Sequence, residues 1–373
     1  MIYLDHAATT PVKPEVLQAA WPWLTSEFGN PSSTHELGHR SSVALDEARA
    51  TVAKFFNVRP AEITFTSGGT ESDNLAIIGL ALANPRGRHI VSARTEHEAV
   101  LAAIEYLERV HGFETSWLEL DEFGQVLDLE SALRPDTTLV SLMTANNEIG
   151  TLHNIAKLAA AAHKVGALFH TDAVQAVGWV DLDIKQLGVD ALSISGHKFG
   201  APKGSGVLVL RAAAHAEPLI HGGGQESGLR SGTENVAWAV AVATALDSLS
   251  SATAEAERVT QLRNDFIVEV LAQLPNAKLT GHPINRSANI ASFTFEGVSG
   301  EAVLLELERR GVIVSSGSAC AAGNDDPSHV LLAIGVQPEV AQTAIRFSFS
   351  HETTALELTD AATALVESVK VFI

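Results

Sequence analysis

Through the first two thirds of the chain, short β-branched runs alternate with longer stretches in which apolar positions recur every three to four residues. The runs at 63–66, 90–92, 139–144, 167–171, 192–194 and 207–210 predict strands, because each is apolar, brief and bounded by polar or glycine-rich turns. The stretches at 72–83, 99–110 and 155–165 predict helices, the last closed by Gly166 where a left-handed cap is favoured. Strand and helix in strict alternation predict an α/β fold with a mostly parallel sheet covered by helices, and in such sheets ligands gather at the carboxyl ends of the strands. From about residue 252 the texture changes. A long polar helical stretch runs to 274, followed by a strand at 289–295, a helix at 300–310, a short strand at 312–315, an alternating run at 344–350 and a closing helix. This predicts a second, α+β domain with a boundary near 250.

Composition narrows the class of function. The 373 residues hold 25 Lys and Arg against 44 Asp and Glu, a formal charge of −19, which opposes binding to phosphate backbones and anionic lipid. With 46% hydrophobic and 18% charged residues, the chain can bury a large core and lies outside the disordered class. Its longest apolar run, 236–246, is far short of the ~20 residues that cross a bilayer. The first residues show neither the basic nor the apolar segment of a secretory signal, so the cytoplasm is the expected compartment. The one cysteine, Cys320, rules out an intramolecular disulfide and any all-cysteine metal site. It is either a small buried hydrophobe or a lone reactive thiol.

Several strand ends carry polar groups suited to chemistry. The strand at 63–66 breaks into Gly68-Gly69 and Thr70 before a helix, either a tight turn or a cradle of bare N–H groups and a hydroxyl that suits a phosphate. Asp172 ends the next-but-two predicted strand, with Gln175 three residues on; alone it reads as a cap as readily as a functional carboxylate. Lys198 follows the strand at 192–194, and a partly desolvated lysine there has a lowered pKa and can act as a Schiff-base nucleophile. Together, an Asp and a Lys at neighbouring strand ends can hold a pyridine ring, the one keeping its nitrogen protonated and the other taking its aldehyde. His97 and Asn147 lie after two further strands. Cys320 sits in a loop of small residues rather than in an apolar periodic run, which favours the reactive thiol, with His329 and Arg346 as candidates for lowering its pKa or binding a carboxylate. The segment His35-Glu-Leu-Gly-His39 matches the zinc-protease pattern literally. The preceding Asn30-Pro-Ser-Ser-Thr34 puts His35 in the first helical turn at best, Gly38 weakens the helix, and Ser42 stands where the extended pattern needs a glycine, so no metal is expected.

Taken in order, YLDHAATTP at 3–11, FGNPS at 28–32, TSGGTESDN at 66–74, TEH at 95–97, NNEIGT at 146–151, HTDAVQ at 170–175, GHK at 196–198, HGGGQE at 221–226, RSGTEN at 230–235, SSGSAC at 315–320 and IRFS at 345–348 closely resemble the NifS/IscS-type cysteine desulfurases of the class V aminotransferase group. The resemblance spans essentially the whole chain. It implies a pyridoxal 5'-phosphate enzyme of fold type I, with a large domain over 13–250 built on a seven-stranded-type sheet and a small domain made of 1–12 and 251–373. Carried over, it implies Lys198 as the Schiff-base lysine, Asp172 on the ring nitrogen, Gln175 and Asn147 near the ring oxygen, and His97 against the ring as a proton relay. It implies Gly69, Thr70, Ser195 and His197 around the phosphate, joined by Thr233 from the other subunit of a homodimer. Arg346, with Asn147, would bind the carboxylate of L-cysteine, and Cys320 would take its sulfur as a persulfide for a sulfur-acceptor protein such as an iron-sulfur scaffold. The alternative within the same chemistry is a selenocysteine lyase or cysteine-sulfinate desulfinase with a dispensable thiol. Departures from the family pattern are Gly200-Ala201, the acidic residues after Cys320, Ser350-His351 and a chain that stops at Ile373, which leaves the docking partner open.

Overall fold

A computed structural model describes residues 1–84, 86–249, 252–316 and 326–372. After a two-residue first strand, β1 (Ile2–Tyr3), the apolar runs become β2 (Ile63–Thr66), β3 (His89–Ser92), β4 (Glu114–Trp117), β5 (Thr137–Ser141), β6 (Leu168–Asp172), β7 (Ala191–Ser195) and β8 (Gly206–Leu210). β2 to β8 form one sheet in the order β2-β8-β7-β6-β5-β3-β4, in which β8 alone runs against its neighbours. β5, β7 and β8 are buried at every position, and β8, Gly-Val-Leu-Val-Leu, accordingly reads as a continuous apolar run rather than as an alternation.

Alternate residues of these strands feed two cores. Val140, Phe169, Val207 and Val209 pack with α1 (Pro14–Thr25), α2 (Glu36–Phe55) and the apolar helix Val236–Asp247. Leu139, Ala191 and Leu208 pack on the other face with α3 (Gly69–Ala83) and α4 (Glu98–His111). α3 is apolar on nearly all sides because it is covered by both the sheet and α4. The strand at β4 escapes sequence patterning because it is an edge of half-exposed polar residues, Glu-Thr-Ser-Trp.

The last third builds a separate antiparallel sheet from β9 (Ala277–Leu279), β10 (Ile290–Phe295), β12 (Ser315–Ser316) and β13 (Ile345–Ser348), in the order β12-β13-β10-β9. The strand expected at 312–315 is in fact two: β11 (Val312–Ile313) pairs with β1, and β12 turns away to pair with β13. Phe266, Phe293, Phe295, Phe347 and Phe349 fill the core between this sheet and the helices Ala252–Gln273 and Ala355–Lys370. Leu4 belongs to that core, and Asp5 bridges Ser348. The first five residues are therefore held by the last third of the chain, and the segment after them crosses to the large sheet.

Candidate active site

β2 runs into Gly68, whose φ of 155° and ψ of −177° are open to glycine alone. The turn is also tight. A Cβ on Gly206 of β8 would lie 2.6 Å from the Gly68 Cα, and one on Gly69 would lie 2.8 Å from a Val174 methyl. α3 consequently begins against the carboxyl end of β7 and the amino end of β8, with Ser195 beside it, and the first-turn N–H groups of a helix have no partner within the helix itself. Glu71 does not neutralise that turn: its carboxylate folds back onto the Ser67 N–H (2.8 Å) and pairs with Arg230 (2.9 Å).

A cavity of about 260 Å³ opens in front of this helix end. Gly69, Thr70, His97, Asn147, Asp172, Gln175, Ser195, His197, Lys198 and Arg346 all line it, so ten side chains or backbones singled out from the sequence converge. Thr233 is exposed and lies outside this cavity in the single chain. Cys320 falls in 317–325, outside the described residues.

Asp172 sits at the end of β6 with Oδ1 accepting from the Val174 N–H at 2.8 Å, so the capping role and the cavity position coexist. Burial pushes its carboxyl above the ordinary range, opposed by the nearby His97 and Lys198. Lys198 follows β7 and donates from Nζ to the carbonyls of Ala7 (2.5 Å) and Ala8 (2.8 Å). Gln175 donates to the same Ala7 carbonyl at 2.8 Å. Ala7 and Ala8 are thus a wall of the site that residue-type reading missed, because they contribute backbone carbonyls that no side-chain type reports. Thr9 completes it, meeting His197 Nδ1 at 3.1 Å. Burial, with Lys198 and Lys203 nearby, drives His197 down to about 4, so it is a neutral ring.

His97 caps α4, its Nδ1 accepting from the Ala99 N–H at 3.1 Å, which leaves Nε2 as the ring atom that can face the cavity chemistry. Asn146 organises the neighbouring loop by accepting from the N–H groups of Glu148 and Ile149 and donating to Thr95 O. That loop offers the Asn147 carbonyl to Arg346 Nη1 at 2.8 Å, while Arg346 Nη2 pairs with Asp5 at 2.8 Å. Arg346 is 1% exposed, and its Nε has no hydrogen-bond partner. His329 is occupied elsewhere, bonding the Glu96 carbonyl at 3.0 Å and lying 3.5 Å from Glu98. His35 caps α2 by accepting from the Gly38 N–H, so the protease-like pattern is a helix start with His39 a turn further on.

These residues fit a pyridoxal phosphate. A glycine-only helix start offers N–H groups to a phosphate, a carboxylate and a lysine stand at neighbouring strand ends, and a buried guanidinium lines the cavity with its Nε unpaired. The comparisons agree. Residues 2–360 match the family model described as aminotransferase class-V. The chain is 47% identical over 361 residues to a cysteine desulfurase IscS of Dictyoglomus turgidum, covering 96% of this chain and 91% of that one. It is 44% identical over 362 residues to the cysteine desulfurase NifS of Azotobacter vinelandii, covering 96% and 90%. Among solved structures, a NifS-like protein superposes with a TM-score of 0.90 at 34% identity over 99% of both chains. A structure of SspA in complex with cysteine superposes with a TM-score of 0.82 at 34% identity, over 95% of this chain and 100% of that one. The chain belongs to the class-V aminotransferase family. Pyridoxal phosphate is its cofactor, and its architecture is the NifS-like form of that fold.

Proposed function

We propose that the protein is a cysteine desulfurase, converting L-cysteine to L-alanine and leaving the sulfur as a persulfide on Cys320. One observation carries the reading: Lys198, Asp172 and Arg346 meet around a single cavity in a chain that shares 44–47% of its residues with the desulfurases of Azotobacter and Dictyoglomus.

Lys198, Asp172, Gln175, His97, Asn147, Gly69, Thr70, Ser195 and His197 would hold the cofactor. Bound there, it supplies an aldehyde for the substrate amine and a ring that accepts electrons from the substrate's Cα. Asp172 keeps a proton on the ring nitrogen. Lys198 Nζ, positioned by the Ala7 and Ala8 carbonyls, takes the α-proton, and His97, which lines the same cavity, is the second group that can carry protons there. Arg346, which lines the cavity and is already balanced by Asp5, receives the substrate carboxylate. The Cys320 thiolate then attacks the substrate sulfur. The new S–S bond forms as the Cβ–S bond breaks, the electron pair stays with carbon and is protonated, and alanine leaves.

The large unit over 13–250 and the small one from 1–12 and 251–373 are part of this reading, supported by the pairing of β1 with β11 and the packing of Leu4. So is a homodimer in which Thr233 completes the partner's phosphate site. α1 exposes Leu17, Trp21 (60%) and Leu24 at the spacing of one helix face, an apolar stripe suited to a second copy. The persulfide would pass to a sulfur-acceptor protein such as an iron-sulfur scaffold, in the cytoplasm. No helix among the described residues is long and apolar enough to cross a membrane.

The test is to mix cofactor-loaded protein with L-cysteine and measure alanine and protein-bound persulfide beside Cys320→Ser. Both products in the wild type and neither in the variant are expected. Equal alanine from both would sink the persulfide role and turn attention to selenocysteine or cysteine sulfinate as substrates.

A further inference from the structure

Under α3, the face of the large sheet carries polar side chains where an apolar ladder is the rule. Ser92 Oγ donates to Ser141 O at 2.9 Å, Ser141 Oγ meets His170 Nδ1 at 2.9 Å, and His170 Nε2 meets Ser193 Oγ at 2.9 Å. The register lays these groups across adjacent strands, Ser141 opposite His170 and Asp172 opposite Ser193. All are buried. Asp73, in the second turn of α3, comes down on this row. It is 1% exposed, lines the same cavity as Asp172, and places Oδ1 at 3.7 Å from His170 Nε2 with no hydrogen-bond partner.

An ionised Asp73 would have poor company there. Among the described residues, His170 is its sole ion-pair neighbour, and burial holds that ring neutral, down to about 3. The Ser193 hydroxyl favours the charged form, but burial and the negative charges of Asp172 and Glu96 outweigh it and push the Asp73 carboxyl well above its ordinary range. The groups facing it are His170 and Asp172 from β6, Ser193 from β7 and Glu96 from the turn before α4; His97 and Lys198 sit across the cavity nearer Asp172. A buried charge without a partner is relieved by taking a proton.

We propose that Asp73 is a positioning residue that keeps its proton at working pH, so that Asp172 is the one carboxylate of the pair that presents charge to the cavity. This rests on the reading of Asp172 as the partner of a protonated ring nitrogen. One negative charge then matches one positive charge, whereas two adjacent carboxylates would compete for that proton and blur its position.

The experiment compares wild type with Asp73→Asn, a neutral mimic of the protonated acid, and with Asp172→Asn. In the apoprotein, a carboxyl that is protonated when folded and releases its proton on unfolding costs stability as pH rises above the ordinary carboxyl range. The melting temperature of Asp73→Asn is therefore expected to gain on the wild type steadily from pH 5 to pH 8. In the loaded protein, Asp73→Asn is expected to retain the cofactor through dialysis and Asp172→Asn to lose it. An Asp73→Asn variant that loses ground as pH rises, or sheds cofactor as readily as Asp172→Asn, overturns the proposal. Carbon-13 NMR of aspartate-labelled apoprotein assigns the proton directly: an un-ionised carboxyl at pH 7 that is present in the wild type and missing from Asp73→Asn is expected, and a wild-type spectrum of carboxylates alone, or an un-ionised signal that survives in Asp73→Asn and is lost only in Asp172→Asn, overturns the proposal. If these results hold but the wild type makes no alanine from cysteine, the desulfurase reading fails by itself.

Discussion

Arg346 and Asp5, 341 residues apart, form an ion pair of 2.8 Å at the rim of the cavity, tying the chain's first strand segment to its last strand. The guanidinium is buried and the carboxylate is mostly so, and the Asn147 carbonyl takes a second donor. The arrangement holds the fork in one orientation with Nε unused, which is how a single arginine can be both a structural tie and a ready receptor for a carboxylate.

Lysine cannot reproduce that fork, because its charge is a point on a flexible stem. Arg346→Lys is expected to raise the KM for L-cysteine roughly 10- to 100-fold with a smaller change in kcat, as befits loss of a charge-assisted contact of about 1.5–3 kcal/mol. Steady-state alanine release decides it. A fall in kcat at unchanged KM would place the carboxylate elsewhere.

Removing Asp5 acts on the same pair from its other side. Asp5→Asn leaves the Arg346 charge buried without its carboxylate, and loss of a buried partner costs up to about 3–5 kcal/mol. Because Asp5 is partly open to water, the lower end of that range is expected, read as a drop in apoprotein melting temperature. An unchanged melting temperature would mean that the Asn147 carbonyl alone anchors the arginine.

Gly68 lies where a Cβ is not tolerated by the backbone angles, although space around it is ordinary, with the Ser195 hydroxyl 3.7 Å from the position a Cβ would take. Gly68→Ala is expected to cost about 1–3 kcal/mol in strain or to relax by moving the start of α3, and in either case to weaken retention of pyridoxal phosphate. Apoprotein melting and cofactor retention on dialysis separate the two effects. Full stability with full retention would show that the turn is not what positions the phosphate cradle.

His170 supplies a pH dependence with a definite sign. Its folded pKa, driven by burial to about 3, lies below the unfolded value near 6.5, so the unfolded chain binds the extra proton between those limits. Stability from this group is complete above about pH 6.5 and is lost as pH falls toward 3. Apoprotein carrying His170→Gln is expected to show a shallower decline over that window than wild type. Parallel curves would mean that His170 is not held neutral.

The residues at the strand ends could be read directly from the chain. Lys198, Asp172 and Gln175 stand just past short apolar runs, and a run of that length with a polar end is already a strand with a carboxyl-end group, whatever it packs against. The glycines before Thr70 announced a tight helix start for the same local reason. Asp73 could not be recognised, since an acid in the second turn of a helix looks like a solvated surface residue. Only the placement of α3 on the sheet, under α4's cover, turned it inward onto His170. His170 itself reads as a polar intruder in a strand until Ser141 and Ser193 are seen on either side of it.

What the sequence determined by itself is whatever depends on near neighbours along the chain: the alternation that makes an α/β sheet, the glycine turn, and the polar groups at strand ends. The tertiary structure alone decided which distant groups share a low-dielectric space. The pairing of Asp5 with Arg346, the use of the Ala7 and Ala8 carbonyls to hold Lys198, and the burial of Asp73 beside Asp172 all come from contacts between segments far apart in sequence. Burial sets the energy of a charge, and burial is a property of the packed chain rather than of any stretch of it.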